Sequence, residues 1–380
     1  MRILQVNSLF SGGGVDNQTL ELSAGLRDLG DDVSLAVAAG SRWEPRAREL
    51  GVRVETNSGR GAGKITMVRS WAKLIRTNRI QIVHAHQGRD YWPAILAANL
   101  AGIGTQVVVT RHLMTRPRAL SRALLLRATS VVAVSAAVES VLRAHLRGSP
   151  ARIHRIDCGL DFSRFLPSRT PEVWNYRDRI GWPADSVAFA VVGSFHPPAG
   201  KGQLDFLEAA ANLKRVFPQA RFAILGYGEM EARLKERIAS LGLAQVAQVL
   251  PFHNEIPKFM SALDILVLPT TAPEALGLVL LEALASHRPV IASKKDGIPE
   301  CFTDGEHGIL FPPGDVRALT EAMRTLLVDP ALRERYGNAG SAHVQTKFSR
   351  EQLALRTHNL YASLSRPDAK RRPLPRAART

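Results

Sequence analysis

The chain has 380 residues, enough for two domains, and 45% of them are apolar, the share of an ordinary globular protein. No run of about 20 apolar residues is present, which excludes a membrane-spanning helix. The two cysteines, Cys158 and Cys301, lie far apart in no metal-ligand spacing and read as reduced, structural thiols of a cytosolic protein, while the net charge of +16 predicts anionic partners: nucleic acid, acidic glycans, nucleotide phosphates or a membrane surface.

The start, MRILQVNSLF, reads as a buried strand over Ile3–Val6, and Asn7 and Ser8 interrupt it too early for a signal peptide. SGGGVDNQTLELSAGLRDLG follows. Gly12, Gly13 and Gly14 let the backbone approach a ligand, Asp16 is placed to cap a helix running to Leu29, and Gly30 ends it. A glycine loop at a helix start is an anion site, although a tight turn explains it as well, and the GxGxxG dinucleotide fingerprint is absent.

Further strands are expected over Val33–Val37 and Ile82–His84. In VHAHQGRD, His84 and His86 point the same way on an extended strand, a pair able to take a metal but with no third ligand evident nearby. His84 reads as a structural histidine and His86, at the strand's carboxyl end, as the functional one.

Strands over Val107–Thr110 and Val131–Val134 follow. From Arg111 to Arg155 there are nine arginines and one acid, Glu139. RALSRALLLRA reads as a basic amphipathic helix suited to an anionic membrane surface, with a merely solubilising helix as the plain alternative.

Between Phe165 and Val187, Pro167, Pro171 and Pro183 mark a linker with a short helix. It divides a first domain, 1–166, from a second, 187–345, with 167–186 as the connection. A C-terminal helix over 346–364 is expected to cross back to the first domain. The tail 365–380, with six basic residues, one acid and three prolines, is expected to be disordered.

A second strand series runs over Phe189–Val192, Phe222–Leu225, Gln248–Leu250, Ile265–Leu268 and Val290–Ala292. Strands alternating with helical patterns mean βαβ units: an α/β protein of two doubly wound, Rossmann-like parallel-sheet domains. Ligands then lie beyond the carboxyl ends of the strands.

Three stretches of the second domain sit at such ends. In VGSFHPPAGKGQ, Lys201 between glycines and before a helix is a candidate phosphate contact, outside the P-loop pattern. In PEALGLVLLEALASHRPV, Glu274 stands in a loop and Glu282 on a helix from Leu278 to Ser286, stopped by Pro289. Leu280, Leu281 and Leu284 share one face of that helix; Glu282 falls near Ser286 on the other, where a solvated glutamate is the plain reading. Eight residues of helix span about 12 Å, more than the roughly 5 to 9.5 Å between the carboxylates of a glycosidase. The spacing better suits two acids gripping different parts of one long ligand. In KKDGIPE, Gly297 and Pro299 predict a fixed turn presenting backbone amides.

Together these stretches resemble the family-four retaining glycosyltransferases of GT-B fold, from Met1 to about Tyr361. The E-x7-E motif is Glu274 to Glu282, and the glycine–proline–glutamate turn is Gly297-Ile298-Pro299-Glu300. ILGYGEM carries the G-x-G turn at Gly226 and Gly228; IDCGLDFSRF and GEHGILFPPGD match neighbouring segments.

The resemblance implies two domains facing a cleft, and transfer of a sugar from a nucleotide-diphosphate sugar, UDP or GDP, to a cell-envelope glycan or lipid-linked acceptor. It implies roles as well. Glu282 binds the ribose and Glu274 the transferred sugar; the amides of Leu276, Gly277 and Leu278 bind the diphosphate, and Lys201 neutralises it. Asp296, Gly297 and Ile298 hold the sugar, Gly13 and Gly14 approach the diphosphate, and His86 sits beside sugar and acceptor.

Ser194 stands where the family has an arginine, a departure that Lys294, Lys295 or Arg111 would have to offset. Arg111 and His112 are the acceptor-side candidates. The resemblance implies no metal and no cofactor, since the sugar nucleotide is a substrate. The implied partners are that nucleotide, a glycan or glycolipid acceptor and the anionic inner face of the cytoplasmic membrane. Nucleic acid is not among them, because no RNA-binding signature is present. Alternatives are a sugar-nucleotide epimerase or phosphorylase of the same fold, or a non-catalytic basic binding protein.

Overall fold

The computed structural model describes residues 1–9, 13–38, 40–41, 44–57, 63–146, 152–165, 176–253 and 255–365. Gly12, the linker residues 167–175 and the tail beyond Ser365 lie outside them; residues 176–179 are helical. The chain forms two compact units. One comprises Met1–Thr110, Ala119–Val132 and the described residues from Leu353 on; the other comprises Arg111–Arg118 and Ala133–Gln352.

The first sheet has seven strands: β1 (Arg2–Val6), β2 (Asp32–Ala38), β3 (Arg53–Asn57), β4 (Ile82–Ala85), β5 (Gln106–Arg111), β6 (Ser130–Ala133) and β7 (Ile153–Arg155), in the order β3-β2-β1-β4-β5-β6-β7. The second has six: β8 (Val187–Val192), β9 (Ala220–Gly226), β10 (Ala247–Pro251), β11 (Ile265–Leu268), β12 (Val290–Ser293) and β13 (Gly308–Phe311), in the order β10-β9-β8-β11-β12-β13. The pairs β1–β2, β1–β4, β8–β9 and β11–β8 are all parallel. The order reverses between β1 and β4 and between β8 and β11, so the loops leaving these four strands flank the switch points where such sheets bind ligands.

The central strands of the second sheet, β8 and β11, are continuous apolar runs, as parallel strands between two helical layers require. VAFAVV of β8 is buried at every position. In the second unit Phe189 stacks on Phe222 at 5.7 Å between ring centroids, and Phe206 meets Phe222 edge-on at 5.9 Å. In the first, Leu20 and Ala24 of helix Gly14–Asp28 pack with Leu35 and Val37 of β2.

Several local expectations change. Asp16 does not cap its helix: the helix begins at Gly14 with Gly13 at φ 130° before it, and the buried Asp16 carboxylate instead accepts from Asn7 Nδ2 at 2.7 Å. A carboxylate already inside the first turn is drawn to a side-chain donor on the neighbouring strand end. The basic amphipathic helix shrinks to Ala119–Leu125, with Leu125 buried and Leu120 74% exposed. Ser286 is fully buried, so the face it shares with Glu282 is not a solvated one. The strands β3, β7 and β13 are additions: they are short or polar and lie toward sheet edges, where one face needs no apolar side chain.

Candidate functional site

In the second unit the loops after β8, β11 and β12 converge. Lys201 Nζ meets Glu274 Oε2 at 2.5 Å, an ion pair with side chains 30% and 15% exposed. The lysine reaches there across Gly193, whose φ of 143° suits glycine and where a Cβ would come within 3.1 Å of Lys201 Cγ. Gln203, fully buried, ties the loop from both ends: its Oε1 accepts from Lys201 N at 2.7 Å and its Nε2 donates to Ser194 O at 3.3 Å.

Glu274 is held by its backbone as well. Its N–H donates to Asp296 Oδ2 at 3.1 Å, and Gly297 N donates back to Glu274 O at 3.1 Å. A Cβ on Gly297 would stand 2.0 Å from Ala275 O, so only glycine lets these two loops touch. Lys295 pairs with Asp296 at 3.9 Å.

Leu276 is buried, and Gly277, with φ 99°, turns the chain into helix Leu278–Ala285. Below it the buried Cys301 Sγ donates to Leu276 O at 2.9 Å; burial, with Glu274 nearby, pushes this thiol up, so it serves as a neutral donor. Ile298 is buried and begins a single 3-10 turn over Ile298–Glu300. Glu282 is half-buried on the helix.

The arrangement presents a positive helix start, a lysine–glutamate pair and a glycine turn together. It suits a ligand carrying both phosphate charge and hydroxyls. Among the described residues no group of three or more His, Cys, Asp or Glu side chains is gathered as a metal site.

In the first unit, Gly13 and Gly14 are exposed before the first helix. His86 is buried just past β4, with Nε2 bonded to Gln5 Oε1 at 2.7 Å. The ring of His84 lies 4.3 Å from that of His86, and both its nitrogens are engaged, by Tyr361 and Thr110. Beside them Asp90, fully buried, accepts from both the N–H and the hydroxyl of Ser8; burial raises its carboxyl above the usual range.

Arg111 is buried, not solvated, and its Nη2 donates to Thr115 O at 2.7 Å and Oγ1 at 3.0 Å. Burial, then the charge of Arg111, lowers the His112 imidazole to about 4, so it is neutral near pH 7.

Gln203, Asp296 as a side-chain acceptor, Cys301, Asp90 and Gln5 were not legible as site neighbours. Each becomes one only when distant strand ends meet.

Two doubly wound parallel sheets with these loops define the class: the protein has the GT-B fold. Anabaena HepE, solved with UDP and glucose, superposes with a TM-score of 0.82 at 22% identity, covering 96% of this chain and 100% of that one. Residues 172–343 match the family described as Glycosyl transferases group 1, and residues 12–164 match Glycosyltransferase Family 4. The chain belongs to this family and is a glycosyltransferase. Alpha-D-kanosaminyltransferase of Streptomyces kanamyceticus is 27% identical over 370 residues, 89% of this chain and 92% of its own. A GDP-mannose-dependent monoacylated alpha-(1-6)-phosphatidylinositol monomannoside mannosyltransferase of Corynebacterium glutamicum is 30% identical over 227 residues, 57% of this chain and 58% of its own.

Proposed function

We propose that the protein moves a hexosyl group, with retention of anomeric configuration, from a UDP- or GDP-sugar to a hydroxyl of a cell-envelope glycan or lipid-linked acceptor. The observation that carries this is the Lys201–Glu274 ion pair beside the start of helix Leu278–Ala285. The named ligand of HepE and the named donor and acceptor of the Corynebacterium relative support the donor and acceptor classes.

In this reading Glu282 takes the ribose hydroxyls, and Glu274 with Asp296, Gly297 and Ile298 holds the sugar. The amides of Leu276, Gly277 and Leu278, with Lys201, hold the diphosphate. Gly13 and Gly14 also approach the diphosphate, and His86, Arg111 and His112 serve the acceptor side. The bond between the anomeric carbon and the diphosphate oxygen breaks, with its electron pair leaving on the phosphate. The acceptor oxygen forms its bond on the same face, and its proton passes to the departing phosphate oxygen. Lys201 and the helix start supply the countercharge that a metal would otherwise provide.

The test is a thermal-shift panel of UDP, GDP, ADP and CDP. A ligand at 100 times its dissociation constant adds about 2.7 kcal/mol of stability. One nucleotide is expected to raise Tm in the wild type and not in Glu282→Ala. No shift with any of the four removes the donor reading.

We also propose that the protein works against the anionic inner face of the cytoplasmic membrane. No helix among the described residues is long and apolar enough to cross a membrane. The exposed Leu120 between exposed Arg118 and Arg122, with Arg127 one turn on, supports peripheral binding. Each basic residue near such a surface contributes about 1 kcal/mol. Arg122→Gln with Arg127→Gln should therefore weaken co-sedimentation with phosphatidylglycerol vesicles by about thirtyfold. Binding unchanged in the double variant removes this surface from the account.

A further inference from the structure

A run of buried hydrogen bonds connects the last helix among the described residues to His86. Tyr361, on helix Arg350–Ser365, is fully buried, and its hydroxyl lies 2.5 Å from His84 Nδ1 and 3.3 Å from Gln5 Nε2. Gln5 Oε1 in turn lies 2.7 Å from His86 Nε2. At the far end His84 Nε2 is 2.6 Å from Thr110 Oγ1. All these residues belong to the first unit.

The distances set the direction of the bonds. The Gln5–Tyr361 separation is close to the range of an N–H···O bond and well outside that of an O–H···O bond. The amide NH2 of Gln5 therefore donates to the phenol oxygen. Tyr361 has one hydrogen, and it goes to His84 Nδ1; burial keeps the phenol protonated by raising its pKa well above the usual value. His84 Nε2–H then donates to Thr110. With its NH2 committed to Tyr361, Gln5 offers only its carbonyl oxygen to His86, whose Nε2 must carry the hydrogen. A neutral imidazole has one N–H, and the bond made at one ring nitrogen decides which tautomer is present.

We infer that Tyr361 is a positioning residue for the transfer reaction: acting through Gln5, it holds His86 in one ring orientation as the Nε2–H tautomer. The inference rests on the proposed placement of His86 beside sugar and acceptor. It assigns the last helix a part in building the acceptor side, beyond covering β1. The same helix has a second tie to the unit, His358 Nδ1 to Asp31 Oδ2 at 2.8 Å, which shares no residue with the relay and supplies a control.

The experiment is a long-range proton–nitrogen correlation spectrum of the full chain labelled with nitrogen-15 histidine, with His86 assigned by the signal lost in His86→Gln. The wild type should show His86 as the Nε2–H tautomer. In Tyr361→Phe the Gln5 amide loses the partner that orients it, and an Nδ1–H population should appear. His358→Gln should lower Tm and leave the His86 tautomer as it was. A wild-type Nδ1–H tautomer overturns the inference. So does a tautomer that Tyr361→Phe leaves unmoved, or that His358→Gln moves as much. In turnover, Tyr361→Phe should lower kcat and leave KM for the donor little changed. If His86→Ala turns over like the wild type, the acceptor-side reading of His86 falls and the role in the reaction falls with it, whereas the tautomer result tests the relay independently.

Discussion

Lys201→Ala should lower kcat by about two to three orders of magnitude, the cost of removing one preorganised group that stabilises charge developing on a leaving oxygen. In the free protein Lys201 is bound to Glu274 at 2.5 Å, in a part-buried setting where the field of each is less screened than at a surface. On the proposed reading the variant removes a countercharge to the diphosphate, and it also strands a carboxylate. A double-mutant cycle with Glu274→Gln separates the two effects. If the pair only braces the loops, either single change already breaks it and the double variant should be no slower than the worse single one. If each side chain holds its own part of the donor, the two losses should add in the double variant. Lys201→Arg keeps the charge but replaces a compact ammonium by a planar fork, and should recover only part of the rate. Lys201→Ala within about threefold of wild-type kcat would remove the lysine from the mechanism.

Gly297→Ala should abolish the nucleotide-induced thermal shift and also lower Tm. The reason is steric rather than conformational, because Gly297 has φ −82°, open to any residue. Its added Cβ would stand 2.0 Å from Ala275 O and 3.2 Å from Leu276 Cα, both backbone atoms that cannot swing aside. The loop bearing Glu274 would have to move, breaking the Gly297 N to Glu274 O bond and shifting the amides ahead of helix Leu278–Ala285. Overpacking of this kind costs about 1 to 3 kcal/mol of stability. Gly305→Ala is the comparison: a Cβ there meets nothing within 4 Å, although its φ of 77° strains an alanine. That variant should lose stability and keep nucleotide binding. A Gly297→Ala protein that still binds nucleotide as tightly as wild type would show that the loop contact does not shape the donor site.

The sequence by itself determined the fold class and marked the loops that converge after β8, β11 and β12. Runs such as Val187–Val192 and Ile265–Leu268 are apolar throughout because parallel strands between two helical layers have no wet face, and that is visible without neighbours. Lys201 stood out between glycines ahead of a helix, Glu274 by its spacing from Glu282, and Gly297 by the turn it forms with Pro299. Short or edge strands such as Arg53–Asn57 and Ile153–Arg155 were not legible, since a half-covered strand has no continuous apolar signal.

Only the tertiary structure decided how the polar side chains are spent. Asp16 looks like a helix cap and is an acceptor for Asn7. Arg111 looks solvated in the sequence and is buried, donating to Thr115 in its own loop. Lys201 finds Glu274 across 73 residues of chain, and Gln5 finds Tyr361 across 356. A buried polar atom must find a partner, but any of several would satisfy it, and hydrophobic periodicity carries no record of which one the folded backbone brings within about 3 Å.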